Sequence, residues 1–293
     1  MNNFKDILKA TTSFLLMFAI VIFVAAVFVR TTFLNAGFIN ERIESSEFYR
    51  ELMEDVRFNY QNFSMITGVP ESVLLNLMID ESEVKDFTRA GVQKAIAYMK
   101  YETTEFSNKI DDAQFKEHLN SYIEEYAKSR NIELDESLIN QINAVGEELR
   151  ESTESQLNIF NIEKVAAYPQ FQRFRSFAYL LYSKTYLVFG AMVLLMGALA
   201  YLSKKRIYNA FMWIGSSFIA GSLFLIVPSI MALLFRIPRR ITVSDPYINE
   251  AVRSLVAGYV NFFLAAGIIV FMFGILCFAN YVMLRNKKKR KRI

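Results

Sequence analysis

The chain alternates between apolar runs that hold no charge and longer stretches in which apolar residues recur at helical spacing among acids and bases. Four runs, 10–29, 185–203, 207–235 and 254–284, lack Asp, Glu, Lys and Arg altogether. Crossing about 30 Å of hydrocarbon at 1.5 Å per residue takes roughly 20 residues, so each run is long enough to span a bilayer. Irregular chain in lipid leaves amide and carbonyl groups unpaired, and the runs are too long for barrel strands, so helices are expected. The second span is drawn back to 178, because 171–182 is rich in the aromatic and basic residues that mark a headgroup layer. The predicted fold class is therefore all-α: a polytopic membrane protein with four transmembrane helices (10–29, 178–203, 207–235 and 254–284) and a helical extracytoplasmic domain inserted between the first and second, over 30–177.

Within that domain, Ile43, Leu52, Val56, Tyr60 and Phe63 share one helical face, which predicts an amphipathic helix over 40–66. Gly68 and Pro70 stop it and favour a new start, giving a short helix over 71–78. Asp80 with Glu83 forms a capping box for a third helix that carries Val84, Phe87, Ala95, Tyr98 and Met99 and ends near Glu102. Asp111 with Gln114 opens a fourth, aligning Phe115, Leu119, Tyr122, Ile123 and Tyr126, with Asn131 as its end. Asp135 precedes Leu138, Ile142, Val145 and Leu149 on a fifth, which Pro169 interrupts. No stretch alternates with period two, so strands are not expected.

Charge adds an orientation. The stub 1–9, the link 204–206 and the tail 285–293 hold 12 basic residues against Asp6, a net of +11, whereas 38–175 holds 15 basic against 26 acidic, a net of −11. Basic short segments stay on the cytoplasmic side, which places both termini inside, 30–177 and the connection 236–253 outside, and the whole in a plasma membrane. The tail residues Lys287, Lys288, Lys289, Arg290, Lys291 and Arg292 are expected to meet anionic lipid headgroups, at about 1 kcal/mol per basic residue near the surface, rather than nucleic acid. The one cysteine, Cys277, lies in the fourth span, so no disulfide framework can hold the outer domain.

Candidate chemistry is sparse. His118 is the only histidine and sits between Phe115 and Leu119, at the border of an apolar face, where a structural role outweighs catalysis. One histidine and one membrane-buried cysteine do not assemble the usual zinc sets. The acidic clusters at 80–86, 111–112 and 147–154 lack the Asp-x-Asp-x-Asp-Gly calcium loop, and helix starts already favour acids. Neither Gly-x-x-x-x-Gly-Lys-[ST], Gly-x-Gly-x-x-Gly nor Gly-x-Ser-x-Gly occurs. No catalytic, cofactor-binding or metal residue is therefore assigned, and no cofactor is expected. The spans hold no acid; their polar residues are Ser216, Ser217, Ser222 and Ser229 in the third and Asn261 and Asn280 in the fourth. Gly190 with Gly197, Gly267 with Gly274, and Ser217 with Gly221 offer small faces for packing within the bundle or between copies.

The layout of one anchor, an outer domain and three further spans is similar in topology to the bacterial lipoprotein intramolecular transacylases. That resemblance implies histidine chemistry on the outer face, whereas 236–253 holds no histidine here and His118 lies in a helical segment, so the activity is not carried over. The expected function is a non-enzymatic bacterial membrane protein, a sensor, accessory or scaffold subunit, whose acidic outer domain binds a protein, peptide or envelope ligand. A protein partner or a second copy is expected through the spans and the outer domain. A subunit of an oligomeric channel or transporter is the alternative, and a membrane enzyme acting on lipid or lipoprotein a further one.

Overall fold

The computed structural model describes residues 2–76, 80–105, 108–110, 112–131, 136–159, 162–243 and 245–290. It is all-helical, with no strand among the described residues, and four of its helices are long and apolar enough to cross a membrane: Phe4–Phe33, Pro169–Leu202, Tyr208–Leu234 and Pro246–Lys288. The chain packs as two units. One comprises Met1–Phe38, Ser176–Ile241 and Arg253–Ile293, the other Ile39–Arg175 and Thr242–Val252.

The first unit holds α1 (Asn2–Phe28), α10 (Tyr208–Leu234), the short α11 (Ile237–Arg240), most of α9 (Pro169–Leu202) and most of α12 (Pro246–Arg290). Helices α9 and α12 run well beyond their uncharged runs, because Pro169 and Pro246 suit a first turn and nothing between them and the apolar core breaks a helix. Leu16 and Ile20 of α1, Met192 and Leu199 of α9 and Phe218 of α10 form a buried cluster. Hydroxyls join α1 to α10: Ser13 Oγ and Ser217 Oγ lie 2.7 Å apart, and each has a carbonyl across the pair within donating reach, Ser13 Oγ 3.1 Å from that of Trp213 and Ser217 Oγ 2.8 Å from that of Ser13. In lipid such pairs contribute about 0.6 kcal/mol on average. Between α10 and α12 the contact is glycine-lined. A Cβ at Gly215 would stand 3.0 Å from the Gly274 carbonyl, so the backbones meet only because neither residue has a side chain. A Cβ at Gly190 or Gly197 would meet nothing within 4 Å, so the small face of α9 is open.

Beyond α1 the helix widens into a π turn, Val29–Phe33, with the Leu34 amide donating to the Val29 carbonyl at 2.8 Å. Phe28 lies there among Tyr259, Phe262 and Phe263, with centroids 5.1, 5.5 and 4.6 Å away.

The second unit is built from α2 (Ala36–Glu44), α3 (Phe48–Thr67), α4 (Glu71–Asn76), α5 (Glu81–Met99), α6 (Asp112–Arg130), α7 (Glu136–Leu157) and α8 (Ile162–Ala166), together with Thr242–Val252. The single helix expected over 40–66 is two, because the Ser46 hydroxyl donates to the Ile43 carbonyl at 2.6 Å and accepts from the Phe48 amide at 3.3 Å, a local alternative to the helical ladder. Gly68 ends α3 in the left-handed conformation (φ 74°), as its position after the apolar face predicts. The Asp80 and Glu83 capping box is formed. Asn131 follows α6 with φ 51°, whereas Asp111 and Asp135, expected to open α6 and α7, lie outside the described residues. Leu52, Val56 and Tyr60 of α3 are buried with Leu149, Thr153 and Leu157 of α7, and the Tyr60 and Thr153 hydroxyls are 3.3 Å apart. Tyr247, from the second segment of this unit, sets its ring 5.9 Å from that of Phe48, which is fully buried.

Candidate functional site

Two deeply buried arginines distinguish the second unit. Arg150 of α7, 9% exposed, is neutralised: Nη2 donates to Glu147 at 2.5 Å and Nη1 to Glu154 at 2.6 Å, while Glu154 also accepts from the Ile110 amide at 2.8 Å. Arg175 of α9, 7% exposed, has no carboxylate within ion-pair distance among the described residues. Its guanidinium lies between two aromatic rings, 3.7 Å from the centroid of Tyr98 and 3.6 Å from that of Tyr101. Nη2 donates to the Tyr98 carbonyl at 2.5 Å, and Nε is buried without a partner.

The site exists because of how α5 ends. The helix stops at Met99, short of the expected Glu102, and closes with the Glu102 amide donating to the Ala97 carbonyl at 2.9 Å and the Tyr101 amide to the Tyr98 carbonyl at 3.0 Å. That pattern places Tyr101 in the left-handed region, at φ 61°, where glycine is usual. The chain then turns away through Glu102, Thr103 and Thr104, and these three with Tyr98, Tyr101 and Arg175 line an open cavity of about 690 Å³. The Thr103 hydroxyl accepts from the Glu105 amide at 3.0 Å, which leaves its proton to donate. Gln172, one turn before Arg175, donates to the Tyr98 hydroxyl at 3.1 Å and holds that ring in place.

Arg175 and Tyr98 are visible in the sequence only as part of an aromatic-basic segment and of a helix face. Nothing local marks Tyr101 to Thr104, and the pairing of 98 with 175 spans 77 residues.

The residues weighed from sequence fall elsewhere. His118 is exposed on α6, with its carbonyl accepting from Ser121. The 80–86 acids serve α5: Asp80 caps it, Glu81 pairs with Lys85 at 2.6 Å, and the Glu83 amide and Ser82 hydroxyl hold the Asp80 carboxyl below its usual range. Glu147 and Glu154 flank Arg150. Among the described residues no three His, Cys, Asp or Glu side chains converge as a metal set. Of the tail, Lys288 lies 5.6 Å from the Tyr208 ring and Lys287 is exposed, while Lys291 and Arg292 lie outside the described residues.

The class these observations define is an all-helical membrane protein with four candidate spans and a separate helical unit of polar surface. Comparison with family models, with curated proteins and with solved structures finds no match.

Proposed function

We propose that this is a plasma-membrane protein with both termini in the cytoplasm, whose second unit is held outside to receive a ligand, in a sensor or accessory role without catalysis of its own. The observation that carries the reading is the composition of that unit. It joins Ile39–Arg175, which follows the first span, to Thr242–Val252, which follows the third. In a four-span chain those two connections emerge on one side, and the basic stub, link and tail on the other. The serines of the third span, which a channel would need to line its pore, have hydrogen-bond partners: Ser217 bonds to α1, and Ser216, Ser222 and Ser229 donate to carbonyls of their own helix.

Sidedness is tested with Cys277→Ser as background and single cysteines at Asn120 of α6 and Lys205 of the link. In intact cells a membrane-impermeant maleimide labels the Asn120→Cys chain and spares Lys205→Cys until the membrane is opened. The opposite pattern overturns the topology. Equal labelling at both positions before opening does so as well.

A further inference from the structure

Arg150 shows what this protein does with an arginine it intends to keep neutral: two carboxylates stand within 2.6 Å of it. Arg175 is buried to the same degree and has no carboxylate within ion-pair distance among the described residues. A buried monocation without a counter-charge is costly, and the two tyrosine rings, each with its centroid within 3.7 Å of the guanidinium carbon, offset only part of that cost. The guanidinium has five donors, and the Tyr98 carbonyl takes one. The group is thus held in a fixed plane on the wall of an open cavity, with fork donors unspent.

The remaining wall narrows the ligand. Thr103 and Thr104 offer hydroxyl protons, which suit an oxyanion. Glu102 lies on the same wall, exposed and beyond ion-pair distance of Arg175, in a unit of net charge −11 over 38–175. A ligand of several negative charges meets repulsion there, whereas an ammonium close to the oxyanion gains a partner. We propose that the Arg175 cavity binds the head of a zwitterionic ligand, its carboxylate or phosphate on Arg175 and the threonines and its ammonium on Glu102. Two sources carry that chemistry: a free α-amino acid, and the phosphoethanolamine head of a lipid. The inference rests on the reading of the second unit as ligand-receiving, but not on which side that unit faces, since a detergent-solubilised chain is open to solute everywhere.

The test is the thermal unfolding midpoint of the full chain in detergent, titrated with glycine, O-phosphoethanolamine and inorganic phosphate. The proposal expects a saturable rise with at least one zwitterion and a weaker one with phosphate. Arg175→Lys keeps the charge and loses the fork, and should weaken zwitterion binding at least tenfold. That variant also disturbs the α5 end, so the exposed Glu102→Gln decides: zwitterion affinity falls about fivefold or more while phosphate affinity holds or tightens. Nanodiscs separate the sources. A midpoint higher in phosphatidylethanolamine than in phosphatidylglycerol, with the difference lost in Glu102→Gln, assigns the lipid head; a response to glycine with no lipid difference assigns the free amino acid. No saturable rise with any zwitterion in either medium overturns the proposal, as does a rise that Glu102→Gln leaves unchanged. The maleimide experiment fails or succeeds independently of all these outcomes.

Discussion

Tyr101 holds a backbone position that disfavours every residue with a Cβ, by roughly 1–2 kcal/mol, and it does so while laying its ring on Arg175. Strain of that kind persists where the surroundings over-determine it. Tyr101→Gly relieves the backbone but removes a cation–π contact of about 2 kcal/mol, so a net loss of at most about 1 kcal/mol is expected in thermal melts of the full chain. Asp55 gives a residue-scale pH effect. Burial first, and repulsion from Asp245 second, push its carboxyl up, against a lowering by the Gln156 amide that donates to it at 3.0 Å. A carboxyl raised in the folded state binds its proton more tightly there than in the unfolded chain, so its ionisation penalises the fold. Its contribution is therefore least unfavourable below the ordinary carboxylate range and worsens as pH rises through the raised value. Asp55→Asn retains an acceptor for Gln156 and removes the penalty. The variant should melt higher than wild type at pH 7 and no higher at pH 3; a gain that is the same at both would point to something other than this carboxyl. Asp80, held low by its cap bonds, runs the other way: its contribution is present above the unfolded value, about 3.9, and is lost as pH falls through the folded one.

Helices interlock here through their smallest residues. A Cβ on Gly146 of α7 would stand 2.2 Å from Leu119 Cδ2 of α6, so Leu119 seats itself where a side chain is missing. Gly146→Ala gains up to about 1 kcal/mol of helix propensity and forces Leu119 from its place at about 1–3 kcal/mol, so a net loss of roughly 1 kcal/mol is expected by thermal melting. In a Leu119→Ala background the clash is gone, and the same substitution should stabilise. Elements of this kind are partly legible in sequence. Apolar spacing located α3, α5, α6 and α7, and the Asp80–Glu83 pair and Gly68 marked real ends, since caps are local chemistry. The break at Ser46 was not legible, because a serine bonds either to its own turn or to solvent and the choice follows from how Phe48 is buried. The early stop of α5 was hidden for the opposite reason: a tyrosine sits where the sequence rule asks for glycine.

For the molecule as a whole, four uncharged runs sufficed to read four candidate spans, because the bilayer's thickness imposes a length that composition reveals. The Arg175 cavity was not legible, since no spacing in a sequence states that an arginine at 175 lies between rings at 98 and 101. Nor was the make-up of the second unit, in which a short connection between two spans joins the core of a domain made far earlier. Tyr247 is buried against Phe48, so Tyr247→Ala in the full chain should cost roughly 3 kcal/mol in the unfolding of this unit, read by protection of its amides from hydrogen exchange. If protection is unchanged, Thr242–Val252 merely rests on the domain.

That shared core also imposes an order in time. At about 5–20 residues per second, the ribosome needs roughly 3–13 s after finishing Arg175 to begin Thr242. During that interval Phe48 has no Tyr247 to cover it, and two further spans must be inserted before the covering segment arrives. A nascent chain arrested in that window leaves the Phe48 side of the second unit without the segment that completes it.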